Sequence, residues 1–271
     1  MLLRRGLSTN AEPLKGQVAW IVGGIGVVGT GIARALLGQG AAVIVNSRHP
    51  GRLTALSEEL GHPDNLVTIP SSMLPESAEA TVRMAMDVTG NRLDHVIAHS
   101  AVQWYTAGGG DETSTVASKS SLMHVAPPEY AALASQLGSL HYAAAHHLTP
   151  LLKREGTGMS PGTFTFLTCS ADTPEGAGAA FAHINAHGVM GLAAAMRSEG
   201  SEGSLKINVG ELHLGAGLRL NRPMAERESA PRAEPLSHEI GKLIAGMAAR
   251  GKGGYMAAND LFEFELLKHE V

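Results

Sequence analysis

Short apolar, β-branched runs alternate with helix-length stretches along most of this chain, and that alternation admits few architectures. Val18–Val22 (VAWIV), Ala42–Asn46, Leu66–Pro70, His95–His99, Thr163–Cys169, Lys206–Leu212 and Gly254–Ala258 read as strands. Between them, Thr30–Gly38, Arg52–Leu60, Ser77–Val88, Glu129–Lys153, Ala179–Gly200 and Ser237–Ala249 carry helical spacing, with Ser237 as the expected N-cap of the last. A strand that reaches the next one through a helix of about ten residues cannot form a hairpin with it. The connection is a crossover, so the strands lie parallel, and strand twist fixes the hand. The expected fold class is α/β, a doubly wound parallel sheet with helices on both faces, in a single domain.

Composition agrees with buried parallel strands. The chain is 44% hydrophobic but only 4% aromatic, with 33 glycines, so its core must be close-packed Ala, Val, Leu and Ile. A net charge of −4 offers no basic field for nucleic acid. No apolar run approaches the roughly 20 residues that cross a bilayer, so no membrane insertion is expected. Cys169 is the single cysteine, which excludes an internal disulfide framework. The start, MLLRRGLSTN, carries Arg4, Arg5, Ser8 and Thr9, with no acid before Glu12. Such starts resemble organellar transit peptides. Residues 1–13 are therefore expected to be a tail directing the chain to the mitochondrial matrix or another organelle, and 14–271 the folded domain; without import the protein would be cytoplasmic.

The first strand runs into GGIGVVGTGIARAL, which holds Gly24-x-Gly26-x-x-Gly29 at a strand-to-helix turn. Glycine there permits a tight turn and close approach of a pyrophosphate, and the helix start supplies N–H groups and a favourable dipole. This makes the sheet Rossmann-type. The second strand ends in Asn46-Ser47-Arg48, with no acid to hold a ribose 2′-hydroxyl. A hydroxyl followed by an arginine fits a 2′-phosphate, so NADP(H) is expected in preference to NAD(H), with no metal. Two long loops, Thr106–Pro128 and Gly215–Leu236, follow strand C-termini, the side where open α/β sheets bind ligands.

From the opening LKGQVAWIVGGIGVVGTGIARALLGQGAAVIVNSR through INVGELHLG (Ile207–Gly215) to the final strand, the chain resembles the short-chain dehydrogenase/reductase (SDR) family. The resemblance implies a seven-stranded sheet and dinucleotide contacts from Gly23, Gly24, Ile25, Gly26, Val28, Gly29, Ser47, Arg48, Ser72 and Ser100. The family's middle glycine position is Val27, and Leu214 stands where the family has proline. Its Asn-Asn-Ala-Gly becomes Ala98-His99-Ser100-Ala101. Its catalytic asparagine falls near Gln136 and its serine at Ser170, or at Cys169 one residue away. Aligning its Gly-Leu with Gly191-Leu192 puts its tyrosine and lysine at Ala182 and Ala186; sliding one residue either way gives Phe181 and Asn185, or His183 and His187. No register restores Tyr-x-x-x-Lys. In the family the lysine lowers the tyrosine pKa, and the tyrosine gives the proton to the developing alkoxide.

His183 and His187, four apart on one helix face, are the other conspicuous pair, with His99 and His213 as imaginable partners for a metal. Metal binding is the less favoured reading. His141, His146 and His147 read as the polar rim of a long helix. Tyr105 and Tyr142 are weak candidates for a replacement proton donor, and Cys169 for a thiol nucleophile. The expectation is an SDR-like NADP(H)-binding protein lacking the standard carbonyl–alcohol chemistry. It would be a structural or regulatory subunit that self-associates through its two long helices or joins a larger assembly. The alternative is a divergent NADP(H)-dependent oxidoreductase with a replaced donor.

Overall fold

The computed structural model describes residues 12–99, 122–152, 161–169, 179–215, 233–251, 253–258 and 261–269. Seven strands form one parallel sheet: β1 (Val18–Val22), β2 (Ala42–Asn46), β3 (Leu66–Ile69), β4 (His95–His99), β5 (Thr163–Cys169), β6 (Asn208–Leu214) and β7 (Gly254–Ala258), in spatial order β3-β2-β1-β4-β5-β6-β7. Seven α-helices alternate with them: α1 (Val27–Gly38), α2 (Pro50–Glu59), α3 (Ala78–Thr89), α4 (Pro127–Leu152), α5 (Ala179–Ser201), α6 (Ala233–Ala249) and α7 (Leu261–Leu267). This is the expected Rossmann-type doubly wound architecture. No described helix is long and apolar enough to cross a membrane.

Both faces of the sheet are covered, and the strand residues divide between them with period two. Ala19, Ile21, Val43, Val45, Ile97, Leu167, Leu212 and Leu214 pack with α1 and α6 through Ile32, Leu36, Ile240 and Ile244. The alternate residues Val18, Trp20, Val22, Ile44, Val96, Ala98, Phe164 and Phe166 pack with α3, α4 and α5 through Met86, Leu148 and Ala193. Trp20, Phe164 and Phe166 are fully buried, and removing each from water contributes roughly 2 to 3 kcal/mol. At the N-terminal edge of the sheet, Asp94 Oδ2 accepts from the Val18 N–H at 2.7 Å and from Arg92 Nε at 2.9 Å, which ties β1 to β4. His95 bridges the same edge, its Nδ1 2.8 Å from Thr163 Oγ1 and its Nε2 2.6 Å from Gln17 Oε1.

Three boundaries and one side chain differ from the sequence expectation. The sixth strand starts at Asn208 rather than Lys206, because Lys206 has φ 53 and belongs to the turn. The sixth helix starts at Ala233, so Ser237 is not its N-cap; it is a buried residue of the helix facing α1. Pro235 falls in the first turn, where no intrahelical N–H is required. α1 starts at Val27, one turn before Thr30. His141 is not on a polar rim: it is wholly buried on the inner face of α4.

Candidate functional site

The sheet order reverses between β1 and β4, and an open parallel sheet splays apart at such a point, leaving a crevice at the strand C-termini. A cleft opens there, lined from the β1 end by Val22, Gly23 and Ile25, and from the β2 end by Asn46, Ser47, Arg48, His49 and Arg52. Ser72 and Met73 beyond β3, His99 at the end of β4, and Leu137, Leu140 and His141 of α4 complete it.

The glycine turn forms one wall. Gly23 has φ +75, a left-handed conformation that side chains resist, and turns the chain out of β1. A Cβ on Gly29 would lie 2.2 Å from the Gly24 carbonyl oxygen, so the helix could not pack on its own loop with any other residue there. A Cβ on Gly26 would meet nothing within 4 Å. Gly26 is the N-cap of α1, with no side-chain cap and no acid in the first turn, so the positive end of the helix dipole is not neutralised from within the helix. Val27 and Val28 begin the helix, and Val27 is partly exposed. Open space beside an uncapped helix start is what an anionic group such as a pyrophosphate requires.

The β2 end is held rigidly. The buried Trp20 indole donates to Asn46 Oδ1 at 2.9 Å, and Asn46 Nδ2 donates to the Ser71 carbonyl at 3.2 Å. The Ser47 N–H donates to the Ile69 carbonyl, and Ser47 Oγ accepts from the His49 N–H at 3.1 Å. Arg48 and Arg52 stand at this end, where two guanidiniums suit a phosphate. Ser72 is fixed as well: its Oγ accepts from the Leu74 N–H, and its carbonyl accepts from Ser77 and Thr81.

The opposite, inner end is apolar apart from two imidazoles. His141 is inaccessible to solvent, and burial, reinforced by the nearby His99, pulls its pKa down to about 3. Burial also lowers His99 to about 4. His99 is partly exposed as a whole residue, yet its Nδ1 is shielded.

Of the expected nucleotide contacts, Gly23, Ile25, Ser47, Arg48 and Ser72 line this cleft together, and Gly24, Gly26, Val28 and Gly29 belong to the turn beside it. Asn46, His49, Arg52, Met73, His99, Leu137, Leu140 and His141 join them without having been singled out for that role. Ser100, Tyr105 and Ser170 lie outside the described residues. Gln136 is half-buried on α4; Ala182 and Ala186 lie on α5, the latter buried. Tyr142 is 60% exposed and stacks on His146, away from the lining of the cleft. Cys169 is partly buried against the α1–α6 core. His183 and His187 place their rings 6.5 Å apart, with His187 Nδ1 against the His183 carbonyl. No group of three His, Cys, Asp or Glu among the described residues is placed to hold a metal ion.

Together the sheet order and the cleft define a dinucleotide-fold protein with its crevice at the switch point. More particularly, the chain has the fold of the short-chain dehydrogenases/reductases. It superposes on the RhlG/NADP active-site complex of Pseudomonas aeruginosa with a TM-score of 0.66 and 18% identity, covering 93% of this chain and 98% of the other. The 3-ketoacyl-(acyl-carrier-protein) reductase of Brucella melitensis, complexed with NADH, gives 0.64 and 17% identity over 90% of this chain and 98% of that one. A metagenomic short-chain oxidoreductase in complex with NADP gives 0.64 and 20% over 91% and 98%. The family model described as NADP oxidoreductase, coenzyme F420-dependent, matches residues 17–92, the β1–α3 part of the sheet. No curated protein matches the chain.

Proposed function

We propose that the chain binds NADP(H) in the switch-point cleft. The glycine turn and the start of α1 would take the pyrophosphate, and Ser47 and Arg48 the 2′-phosphate, with Arg52 beside them. One observation carries this reading: a glycine turn, an uncapped helix start and two arginines converge on one crevice that contains no acidic residue among its lining. An acid at the β2 end would repel a 2′-phosphate and favour NAD(H). The NADP and NADH complexes among the solved relatives support a dinucleotide here.

We further propose that the bound nucleotide does not serve the family's carbonyl–alcohol hydride transfer, and that the protein is a structural or regulatory subunit, in the mitochondrial matrix or another organelle. The 23 residues of α5 contain neither tyrosine nor lysine. A helix without either offers no phenol to protonate an alkoxide and no ammonium to lower its pKa. The second reading, a divergent NADP(H)-dependent oxidoreductase with another donor, draws on the reductase named among the solved relatives.

Thermal-shift titration with NADPH and NADH, followed by assay against a carbonyl panel, separates the readings. Saturable NADPH binding without turnover, in a native complex larger than a homotetramer, is the expected result. Turnover would establish the second reading. Absence of binding by either nucleotide would remove both.

A further inference from the structure

The inner end of the cleft contains a polar anomaly. Both ring nitrogens of His141, and Nδ1 of His99, are shielded from solvent and have no hydrogen-bond partner among the described residues. His141 has no exposed surface, and its coupling to His99 puts the two rings close together where β4 ends against α4. A neutral imidazole carries one N–H donor and one acceptor in either tautomer, so His141 leaves both unsatisfied. A buried polar group without a partner is costly, and native proteins seldom keep one unless something else completes it.

What completes it can be read from the surroundings. Val22, Ile25, Met73, Leu137 and Leu140 make the walls around the imidazoles apolar, whereas the cations Arg48 and Arg52 sit at the β2 end. A phosphate has no counter-charge at the histidine end, since both rings are held neutral. A flat heteroaromatic ring with a polar edge fits: its faces meet the aliphatic walls and its edge meets the imidazoles. The amino edge of adenine presents an N–H donor beside a ring-nitrogen acceptor, the complement of one accepting and one donating imidazole.

We propose that His99 and His141 recognise the amino edge of the adenine ring of the bound nucleotide, and so set base specificity. This rests on the reading of the cleft as a nucleotide site. A hypoxanthine ring, with a carbonyl in place of the amine, would lose the accepting imidazole's partner.

The test titrates NADPH and its hypoxanthine (deamino) analogue calorimetrically into the full chain and into His141→Leu, His141→Gln and His99→Leu. The wild type is expected to favour NADPH by roughly tenfold, the value of one hydrogen bond lost from a shielded site. His141→Leu should lose that preference, and His141→Gln, which keeps a donor and an acceptor, should recover part of it. The ligand-free His141→Leu protein should melt no lower than wild type, because leucine fills a similar volume without polar atoms. His99→Leu repeats the test from the second imidazole and does not depend on the α4 variants folding. NADPH binding with no base preference in the wild type, or a preference retained in both leucine variants, overturns the proposal and leaves the nucleotide site standing. Absence of NADPH binding removes the nucleotide reading and this proposal with it.

Discussion

Gly31 of α1 and Gly241 of α6 cross in backbone contact: a Cβ on Gly241 would lie 2.2 Å from the Gly31 carbonyl oxygen, and one on Gly31 would lie 2.2 Å from the Ser237 carbonyl oxygen. Small residues at a crossing let two helices approach until main chain meets main chain, and here they hold α6 over the helix whose first turn borders the cleft. Because both obstructing atoms are backbone, neither helix can yield by rotating a side chain. Gly241→Ala is expected to lower stability by about 2 kcal/mol and Gly241→Leu by more, measured by urea denaturation. Wild-type midpoints for both variants would refute the crossing.

The glycines of the turn should separate by role. Gly29→Ala pushes a methyl into the Gly24 main chain and should lower the melting temperature. Gly26→Val meets no protein atom within 4 Å, so its melting temperature should change little, while its side chain fills the space beside the helix start. NADPH affinity is expected to fall at least tenfold for Gly26→Val. Equal effects of the two variants on stability would contradict this division.

The strands were legible because burial on both faces leaves no polar interruption within them. β1, β2, β4, β5 and β7 coincide with the apolar runs in the sequence. The sixth strand was read two residues early because apolar Leu205 and Ile207 flank Lys206, and sequence alone does not reveal that Lys206 has a positive φ. Ser237 passed for an N-cap because serine is the commonest start signal, but here it is small enough to lie under a helix crossing. His141 was misassigned by type rather than position. It continues the stripe Leu137–His141–Ala144–Leu148 at helical spacing, all four of them buried, and that stripe was the available signal. The glycine turn and Arg48 were readable because their chemistry is local. Asn46, Met73 and His99 meet only after three strands are laid side by side.

Arg48 should control the choice between nucleotides. If its guanidinium pairs with a 2′-phosphate, Arg48→Ala is expected to weaken NADPH binding between tenfold and a hundredfold and leave NADH binding within about twofold. Raising the salt concentration should weaken NADPH more than NADH in the wild type, and this difference should shrink in the variant. Equal losses for both nucleotides would place Arg48 away from the 2′ position.

Three imidazoles make the fold acid-sensitive. Burial lowers His95 and His99 to about 4, and His141 to about 3, from an ordinary value of 6.5. Between those values the unfolded chain binds protons that the folded chain refuses, so stability rises with pH and is lost as pH falls from 6.5 towards 4. Each such histidine contributes a slope of up to ~1.4 kcal/mol per pH unit across that window. Glu239, held down to about 2 by hydrogen bonds from Lys242 and Lys268, acts only below its ordinary 4.5 and adds little here. Denaturation midpoints taken from pH 7 to pH 5 should fall steeply for the wild type and less steeply for His95→Gln. Parallel profiles would show that His95 is not held neutral.

Glu211, 2% exposed in β6, accepts from Thr168 Oγ1 at 2.7 Å and pairs through its second oxygen with Arg197 of α5 at 3.0 Å. The guanidinium lies 4.9 Å from the Tyr255 ring centroid, and His213 stacks on the other side of the cluster with its Nδ1 2.9 Å from Thr168 Oγ1. The helix that lacks the family's tyrosine and lysine is thus still anchored to β6 by a charge pair. Breaking one side of such a pair leaves a shielded charge without its counter-ion, whereas replacing both removes the problem with the interaction. Arg197→Met is expected to cost about 3 kcal/mol, less than a wholly buried pair would because Arg197 is partly exposed. The double variant Arg197→Met/Glu211→Gln should regain most of that loss, so urea denaturation of the two singles and the double should give a coupling well above experimental error. If the single substitutions are additive, α5 is held by its small-residue packing on the sheet alone.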